Sequence, residues 1–594
     1  MNPLASHSSA HGFAASRAAV LLAGAMCALP FLLPRHMPPL RTFYDEWLAI
    51  ALGLAALGLC GAARRTADLR VPGLAAWLGA FALFLVARAF GADTAYAQSS
   101  LLWALYALFA ALMICLGREL ASRCGREQVC DAIAACLLVG ALANAAAGAL
   151  QVIGIPPFLD AFVSRLHGGR AIGNVGQANL YANYLALGAA SLLYLNARGR
   201  LALSMTIASA TLLLAGISLG ASRATAAYLG LFALLAWLAL RRNRAPQSRR
   251  LVMVSLLLAL GGLLAFTAGP AVLRMLGDAV ESGIHRNPAI DAWLERDASV
   301  QLRVGIWELA WRLFAANPWL GVGPGQFAGA AFAAGLTPDL GAEGVWTSAH
   351  NLALQLLAET GLLGALIVGT GLAIWARHAS AEFLRKPDLP LWWVTACAGV
   401  GFTHALLEYP FWYAHFLALT ALAVGIGSPA GWLLRWPANR AALAATAVAG
   451  SALLANILVD YLRFDAASPV AAGRSLAPEH VVLQDRAALR ELGKGLLAPR
   501  AEMWLFLALP LDSDDLAGKI LAGERVLRVW PSEQVVARQS VFLALAGRQR
   551  EALSLLARGL QTYANRHAEI AAVLAGAPPQ ARESLQSALQ PARH

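Results

Sequence analysis

The sequence predicts an all-α protein that crosses a membrane about thirteen times and ends in a helical domain. Two features of composition favour this class: 59% of the 594 residues are hydrophobic and only 13% are charged. Soluble globular proteins have about 25% charged residues, so most of this chain is unsuited to contact with water. The third feature is a series of apolar runs of about 17–25 residues, each long enough to span a bilayer.

The apolar runs extend from Arg17 to Tyr461 and define the predicted spans. These are 17–34, 47–62, 72–90, 100–117, 129–153, 179–197, 201–220, 225–240, 251–269, 351–375, 391–407, 411–428 and 441–461. After Arg463 the composition becomes a charged, helix-forming mixture. This change predicts a transmembrane domain over 1–463 and a separate tail over 464–594. The first run lacks an Ala-x-Ala cleavage pattern, so we expect a retained helix.

Loop charge predicts the orientation of the spans, because cytoplasmic loops of membrane proteins are enriched in Lys and Arg. Arginine-rich and arginine-poor connections alternate along the chain. The rich ones lie around Arg64, Arg118, Arg198, Arg241, Arg377 and Arg435. The outer face then receives 35–46, 88–99, 154–178, 221–224, 270–350 and 408–410, together with the tail. Because this rule also accounts for the net charge of +12, no nucleic-acid partner is expected.

The tail contains an apolar helix from Val535, a turn at Gly547 and a second helix that runs to Tyr563. This pattern is similar to the helical hairpin of tetratricopeptide repeats, whose period is about 34 residues. One hairpin is also compatible with a small helical bundle that forms no array. We therefore expect a helical, tetratricopeptide-like domain over 464–594.

A polar segment, RAIGNVGQAN over 170–179, precedes the sixth span on the predicted outer face. Its glycines and amides are typical of a turn, and the helix N-terminus that follows favours an anion. Arg170, Asn174, Gln177 and Asn179 are therefore candidates for contact with a sugar or a phosphate. The alternative is a capped turn at the membrane edge that binds nothing.

Two further arginines are predicted on the same face. Arg223 lies in a very short connection between two spans, and Arg303 lies in the long loop 270–350. Arginine binds phosphate well, since its planar guanidinium donates to two oxygens and stays charged. For Arg223 the alternative is an interaction with lipid headgroups. The Gly- and Pro-rich stretch 317–327 cannot be helical throughout and indicates a shaped loop.

His350 lies where the long loop enters the tenth span, and Asn351 follows it. Asn351, Gln355 and Glu359 recur at four-residue steps, which places them on one face of a helix. A histidine can accept a proton near neutral pH, so His350 is a candidate general base for a hydroxyl acceptor. A structural histidine at a helix start is the alternative.

Several of these motifs together resemble the core of the O-antigen ligase and polymerase superfamily. They are Ser222-Arg223, Asn317-Pro318, GVG at 321–323, His350-Asn351 and ETG at 359–361. Three more stretches are similar to the pilin-glycosylating, or PglL-type, protein O-oligosaccharyltransferases. They are HMPP at 36–39 with TFYDEW at 42–47, Gly173-Asn174 with Gln177 and Asn179, and LEYPFWYAHF at 407–416. The helical tail also fits that family. One departure is Ala178, where the family pattern has proline.

The resemblance implies transfer of a preassembled glycan from undecaprenyl pyrophosphate to Ser or Thr hydroxyls of periplasmic or pilin proteins. It places a multi-pass enzyme in the bacterial inner membrane, among membrane lipids, with its active site facing the periplasm. His350 would activate the acceptor hydroxyl, while Arg223 and Arg303 would bind the pyrophosphate. The remaining substrate-binding residues are expected to be Arg170, Asn174, Gln177, Asn179, Asn351 and Glu408.

No metal or other cofactor is expected, because arginine charge would stabilise the leaving pyrophosphate. Two rivals within the superfamily, an O-antigen ligase acting on lipid A core and an O-antigen polymerase, use a sugar hydroxyl as acceptor. A transporter or flippase is a rival from another class. Such proteins place ionisable groups or broken helices near the membrane midplane, whereas the charges here lie at the predicted outer edge.

Overall fold

A computed structural model describes residues 3–36, 39–62, 68–91, 94–165, 170–279, 298–335, 344–429, 431–435, 439–467 and 486–586. Within these ranges the chain is helical apart from one two-stranded sheet and short connections. The predicted all-α class is therefore confirmed. Segments 280–297 and 336–343 of the predicted outer loop, and the last eight residues of the tail, lie outside the described residues.

Thirteen apolar helices in the described chain correspond one for one to the predicted spans. They are α1 (Pro3–Met26), α2 (Phe43–Ala62), α3 (Gly73–Ala89), α4 (Ala97–Cys124), α5 (Arg126–Ile153), α6 (Ala178–Ala197), α7 (Leu203–Gly220), α8 (Ala224–Arg242), α9 (Pro246–Ala279), α12 (Leu352–Arg385), α13 (Leu389–Ala405), α14 (Ala414–Gly427) and α15 (Asn439–Ala467). Nine helices in the described ranges are long and apolar enough to cross a membrane. The predicted multi-pass membrane architecture is thereby supported. Several helices extend past the predicted spans, because their ends continue into polar sequence.

The remaining helices of the described chain lie between α9 and α12 or in the tail. They are α10 (Ala298–Ala316), α11 (Phe327–Ala333), α16 (Arg486–Leu492), α17 (Ala498–Leu507), α18 (Leu516–Leu527), α19 (Glu533–Leu545), α20 (Gln549–Thr562), α21 (His567–Ala575) and α22 (Pro579–Gln586). Short 3₁₀ turns occupy Leu29–Leu32, Pro157–Leu159, Pro410–Trp412 and Ala564–Arg566. Helices α19 and α20 pack against each other as the predicted hairpin, with Gly547 in the left-handed region at φ +75°.

The chain forms two compact units. The first comprises Met1–Gly79, Ala107–Arg296 and Gly369–Leu454, and the second comprises Ala80–Tyr106, Asp297–Val368 and Ala455–His594. The predicted boundary near residue 463 was drawn from composition and stays a prediction. Contacts group residues 298–335 and 344–350 of the long loop with the tail in the second unit, whereas residues 270–279 belong to the first unit.

Helix α6 is the centre of the first unit. Every one of its residues except Asn179 is buried, and α5, α7, α8, α9 and α13 all contact it. Apart from three asparagines, its sequence is small or apolar, with tyrosines that reach neighbouring helices. A helix that is apolar on all sides is suited to a position surrounded by other helices.

Several connections that were predicted from their charge to lie on the same membrane face contact one another in the first unit. On the predicted outer side, the ring of His36 lies 2.8 Å from the carbonyl of Asn174. On the opposite side, strand β1 (Asp68–Val71) pairs antiparallel with β2 (Trp432–Arg435), and Arg126 binds Glu382 at 3.1 Å. The contacts therefore agree with the predicted alternation of the loops.

In the second unit, the tail helices and the long loop share a hydrophobic core. Phe332 of α11 is buried among tail residues such as Phe506, Val536 and Tyr563, and Val345 packs against the same cluster. A second cluster joins α10 to the segment that precedes α12, through Ile306, Leu309, Ala310, Ala349 and Ala358. The loop segment that carries His350 is thus held by apolar contacts on two sides.

Candidate functional site

At the start of α6, the half-buried Asn179 forms hydrogen bonds with buried residues of two other connections in the first unit. The amide nitrogen of Asn179 donates to Glu408 Oε1 at 2.7 Å, and the hydroxyl of Ser222 donates to Asn179 Oδ1 at 3.1 Å. Glu408 is 5% exposed, and burial raises the pKa of its neighbour Tyr409, so this phenol stays protonated. We call Asn179, Ser222 and Glu408 the amide cluster.

Asn174 has a structural position in the turn before α6. Both amide hydrogens are donated to main-chain carbonyls, those of Leu32 at 3.0 Å and Phe162 at 2.7 Å. Its Oδ1 accepts from the backbone nitrogen of Ser164 at 2.9 Å. Asn174 was predicted to bind substrate, but its polar atoms already hold the turn in place.

Two residues of α5 that the sequence did not single out shape the same turn. Gln151 Oε1 accepts from the backbone nitrogens of Ile172 and Gly173, both at 3.0 Å. Asn144 Oδ1 accepts from the backbone nitrogen of Asn174 at 2.9 Å. Both are buried polar residues within an apolar run, which is the signal that could have identified them.

Gln177 is the N-cap residue of α6 and makes no capping bond with its side chain, which is half-buried. Ala178 is the first helical residue, a position at which proline is favoured because its φ suits the helix. In this chain α6 begins at Ala178 without the proline of the family pattern. Arg170 is half-buried in the segment before this turn.

Arg223 is exposed at the N-terminus of α8, in the connection predicted from the sequence. Ala221, two residues before Arg223, has φ +44°, in the left-handed region that non-glycine residues rarely adopt. Ser222 in the same connection belongs to the amide cluster. Arg223 therefore directly follows a residue of the amide cluster in the chain.

In the second unit, His350 lies in the segment just before α12 and has φ +47°. Its backbone nitrogen donates to Ser348 Oγ at 3.5 Å, and its ring meets the ring of Trp346 edge-on, with centroids 5.4 Å apart. Left-handed backbone costs free energy for a residue with a β-carbon. Such strain persists only where surrounding contacts impose it and is concentrated at functional sites.

The first turn of α12 supplies those contacts. Asn351 Oδ1 accepts from the backbone nitrogen of Leu354 at 3.2 Å, which caps the helix. Gln355 is 2% exposed, and its Oε1 accepts from the backbone nitrogen of Ala349 at 2.6 Å. Asn351 was predicted to bind substrate and is observed as the cap beside His350. Gln355 holds the residue that precedes the histidine.

Helix α12 is broken at Gly361, which has φ +63° and ψ −167°. The stretch Asn317–Gly325 pairs with this break through main-chain hydrogen bonds: Val322 to Ala358, Gly323 to Glu359 and Leu362 to Pro318. A β-carbon on Gly321 would collide with the main chain of α12, and one on Gly361 with that of the loop. The shaped loop is confirmed, whereas the break was not predicted.

Glu359 is 1% exposed, and its Oε1 accepts from the backbone nitrogen of Phe327 at 2.9 Å. This bond fixes the end of the shaped loop at the start of α11. Gln355 and Glu359, which were predicted to share one helix face, thus both accept hydrogen bonds from main-chain nitrogens of the second unit. Their roles are to position the loop and the histidine segment.

Arg303 is half-buried on α10, one helical turn before Ile306. Ile306 and Ala310 are buried in the same cluster as Ala349, the neighbour of His350. The structure thereby joins the helix of Arg303 to the histidine segment. Within the described ranges, no three His, Cys, Asp or Glu side chains are grouped as metal ligands.

Two family models match the chain. The model described as O-antigen ligase matches residues 208–369, and the one described as virulence factor membrane-bound polymerase, C-terminal, matches residues 392–576. A general O-oligosaccharyltransferase from Acinetobacter baylyi is 29% identical over 413 residues, which cover 68% of this chain and 69% of that protein. Arg223, Arg303 and His350 lie in the first matched segment, and Glu408 lies in the second.

Proposed function

We propose that the chain is a PglL-type member of the O-antigen ligase family, a glycosyltransferase that moves a glycan onto proteins. The observation that carries this proposal is the 29% identity to a general O-oligosaccharyltransferase across 68% of the chain. The donor is a glycan on undecaprenyl pyrophosphate, and the acceptors are Ser or Thr hydroxyls of periplasmic or pilin proteins.

In the proposed reaction, the acceptor oxygen attacks the anomeric carbon of the first sugar. The bond from that carbon to the pyrophosphate oxygen breaks, and the lipid pyrophosphate leaves with the bonding electrons. His350 takes the proton of the acceptor hydroxyl as general base. Its support is positional: Ser348 and Gln355 hold the segment around it in a backbone conformation that would otherwise be unfavourable.

Arg303 and Arg223 are assigned to the pyrophosphate, with Arg170 as a further contact. Two guanidinium groups can neutralise the charge that develops on the leaving group, so the reaction needs no metal in this proposal. Gln177, Asn179 and Glu408 are assigned to sugar or acceptor recognition, since amides and carboxylates suit hydroxyl-rich ligands. Asn174 and Asn351 hold this machinery in place through the bonds described above.

The orientation in the proposal follows from the loop charges. The connections with His350, Arg303, Arg223 and Glu408 face the periplasm, and the membrane is the bacterial inner membrane. The tail lies on the same side and recognises the protein acceptor. This role of the tail is supported by the hydrophobic core that it shares with Phe332 and Val345. Through that core, an acceptor bound to the tail would be connected to the loop before His350.

The test is a reconstituted transfer assay with undecaprenyl-pyrophosphate-linked glycan and two alternative acceptors, a pilin and lipid A core. The proposal expects glycosylated pilin in the presence of EDTA and no modified lipid A core. Transfer to lipid A core alone would instead identify an O-antigen ligase. Loss of transfer in EDTA, restored by a divalent cation, would contradict the arginine-based account of the leaving group.

A further inference from the structure

Three helices of the first unit line a cavity that none of the predicted roles includes. It has a volume of about 610 Å³ and lies between α1, the first turns of α5, and the end of α6 with the turn that follows. Pockets that hold small molecules in proteins usually measure about 300–1,000 Å³. The lining residues are all described and all belong to the first unit. The cavity is therefore large enough to hold a bound molecule.

The cavity is polar at one end and apolar at the other. Arg17 and Arg200 line the end that is predicted to be cytoplasmic, since Arg17 begins the first predicted span and Arg200 lies in an arginine-rich connection. Val20 and Leu195 also line it, each about one helical turn further towards the opposite face. A cavity with charge at the membrane surface and apolar walls further in suits an amphipathic molecule.

The polar end has an excess of positive charge. Two arginines, Arg17 and Arg200, and one carboxylate, that of Asp131, line the cavity. Asp131 accepts from Arg200 at 2.8 Å and from Arg198 at 3.3 Å, and Arg198 also pairs with Glu127 at 3.1 Å. These three arginines and two carboxylates together carry one net positive charge. The chain before Arg17 contains no Asp or Glu that could cancel it.

Small side chains leave room at the apolar end. Ala132 and Ala135 of α5 line it opposite Val20 and Leu21 of α1. Leu21 is 65% exposed and Ala135 is also exposed, so this end opens at the surface of the unit. In a membrane protein such a surface between two spans faces the lipid tails. A hydrocarbon chain can therefore enter from the side while its headgroup stays at the polar end.

We propose that this cavity binds one anionic phospholipid of the cytoplasmic leaflet. Arg17 and Arg200 donate to its phosphate, and an acyl chain lies against Val20 and Ala135. Basic pockets between helices on the cytoplasmic side are a recurring type of site for anionic headgroups. A zwitterionic headgroup would instead bring a cation to an end that already has excess positive charge. The inference does not depend on the proposed function, because the cavity lies on the predicted face opposite to the connections assigned to transfer.

The experiment uses the full-length protein in detergent, with phosphatidylglycerol as the probe and phosphatidylcholine of the same acyl chains as its zwitterionic control. Bound lipid is counted by native mass spectrometry, and the melting temperature is recorded over a range of lipid concentrations. Glycerol 3-phosphate and inorganic phosphate are added in separate arms, because they offer the phosphate without the tails. The charge variants are Arg17→Gln, Arg200→Gln, the double variant and Asp131→Asn.

A variant without a change of charge tests the apolar end, and two matched controls complete the set. Ala135→Leu places a larger side chain in the space assigned to the acyl chain. Its control is Val139→Leu, since Val139 is 66% exposed one turn further along α5 and does not line the cavity. Arg242→Gln is the control for the arginines, because Arg242 is exposed in the last turn of α8 on the same predicted face.

We expect one phosphatidylglycerol per protein and a higher melting temperature with it than with phosphatidylcholine. Each single arginine variant weakens binding about fivefold and the double variant about 25-fold, the effect usual for arginines beside anionic headgroups. Asp131→Asn strengthens binding, because it removes the carboxylate that competes with the lipid for the arginines. Ala135→Leu lowers the occupancy, and both controls match the wild type.

Equal binding of phosphatidylcholine would show a groove without headgroup selection and would overturn the inference. Stabilisation by inorganic phosphate alone that equals the effect of phosphatidylglycerol would assign the arginines to a free anion and would overturn it as well. Wild-type affinity in the double variant would exclude the arginines from binding. If that variant does not fold, Ala135→Leu decides, because unchanged occupancy in a variant with all its charges would also contradict the site.

Discussion

Two membrane helices of this protein, α6 and α12, begin with polar motifs and use them in different ways. At the start of α6, the side chain of Asn179 bonds to Ser222 and Glu408, so the polar atoms link separate connections. At the start of α12, Asn351 and Gln355 bond to nearby main chain and hold His350 in left-handed backbone. The first motif organises the packing of helices, whereas the second positions one side chain. Only the second has the features expected for a reacting group.

The largest expected effect is that of replacing His350. Asparagine and glycine both tolerate left-handed backbone, so neither His350→Asn nor His350→Gly should disturb the segment. We expect each to lower the transfer rate by about 10² to 10⁴, the usual contribution of a general base. The rate is measured with saturating donor and acceptor, and circular dichroism checks the fold. A transfer rate within a few-fold of wild type in either variant would rule out the base.

An intermediate effect is expected at Gln355. Gln355→Leu leaves the backbone nitrogen of Ala349 buried without an acceptor, which costs about 1–3 kcal/mol of stability. Since the lost bond holds the residue before His350, kcat should fall more than either KM changes. Gln355→Glu is the control, because its carboxylate keeps an acceptor oxygen at the same position. If the leucine variant lost stability but kept full kcat, the link between this bond and His350 would be broken.

The smallest effect on the transfer rate at saturating donor and acceptor is expected in the amide cluster, where the main effect should be on stability. A double-mutant cycle on Asn179→Ala and Glu408→Ala should give a coupling of about 0.5–3 kcal/mol in thermal unfolding. Asn179→Asp should destabilise more than alanine, because it places a second carboxylate against Glu408. A coupling near zero would mean that the 2.7 Å bond contributes nothing to the fold. The motif at α6 would then be free for substrate alone.

The same comparison explains what could be predicted from the sequence. The thirteen helices were recognisable because each needs about twenty apolar residues, which is a local property. The shaped loop was also recognisable from local sequence, because its glycines and prolines lie within one short stretch. The partner of Asn179 is Glu408, 229 positions away, and no pattern in the neighbourhood of either residue identifies the other.

Two features escaped the sequence for a different physical reason. Asp131 lies inside an apolar run and was counted as part of a span, although a charge in such a run is itself a signal. Gly361 belongs to the ETG motif, but its sequence does not signal a break, because glycine is common in membrane helices. Its break depends on main-chain groups that the distant segment 317–325 supplies, which a helical pattern cannot reveal.

The pairing at that break also determines which substitutions the protein can accumulate. Both partners contribute main chain, so the neighbouring Trp319 and Leu320, which are 65% and 40% exposed, can vary without loss of a hydrogen bond. Gly321 and Gly361 are closed to every side chain. Gly335 is exposed and has nearly the same φ as Gly321, +65° against +66°, and no atom of the described residues lies within 4 Å of a β-carbon there, so alanine meets backbone strain and no collision with them. In a library of all single substitutions, Gly335 should therefore retain variants that Gly321 excludes.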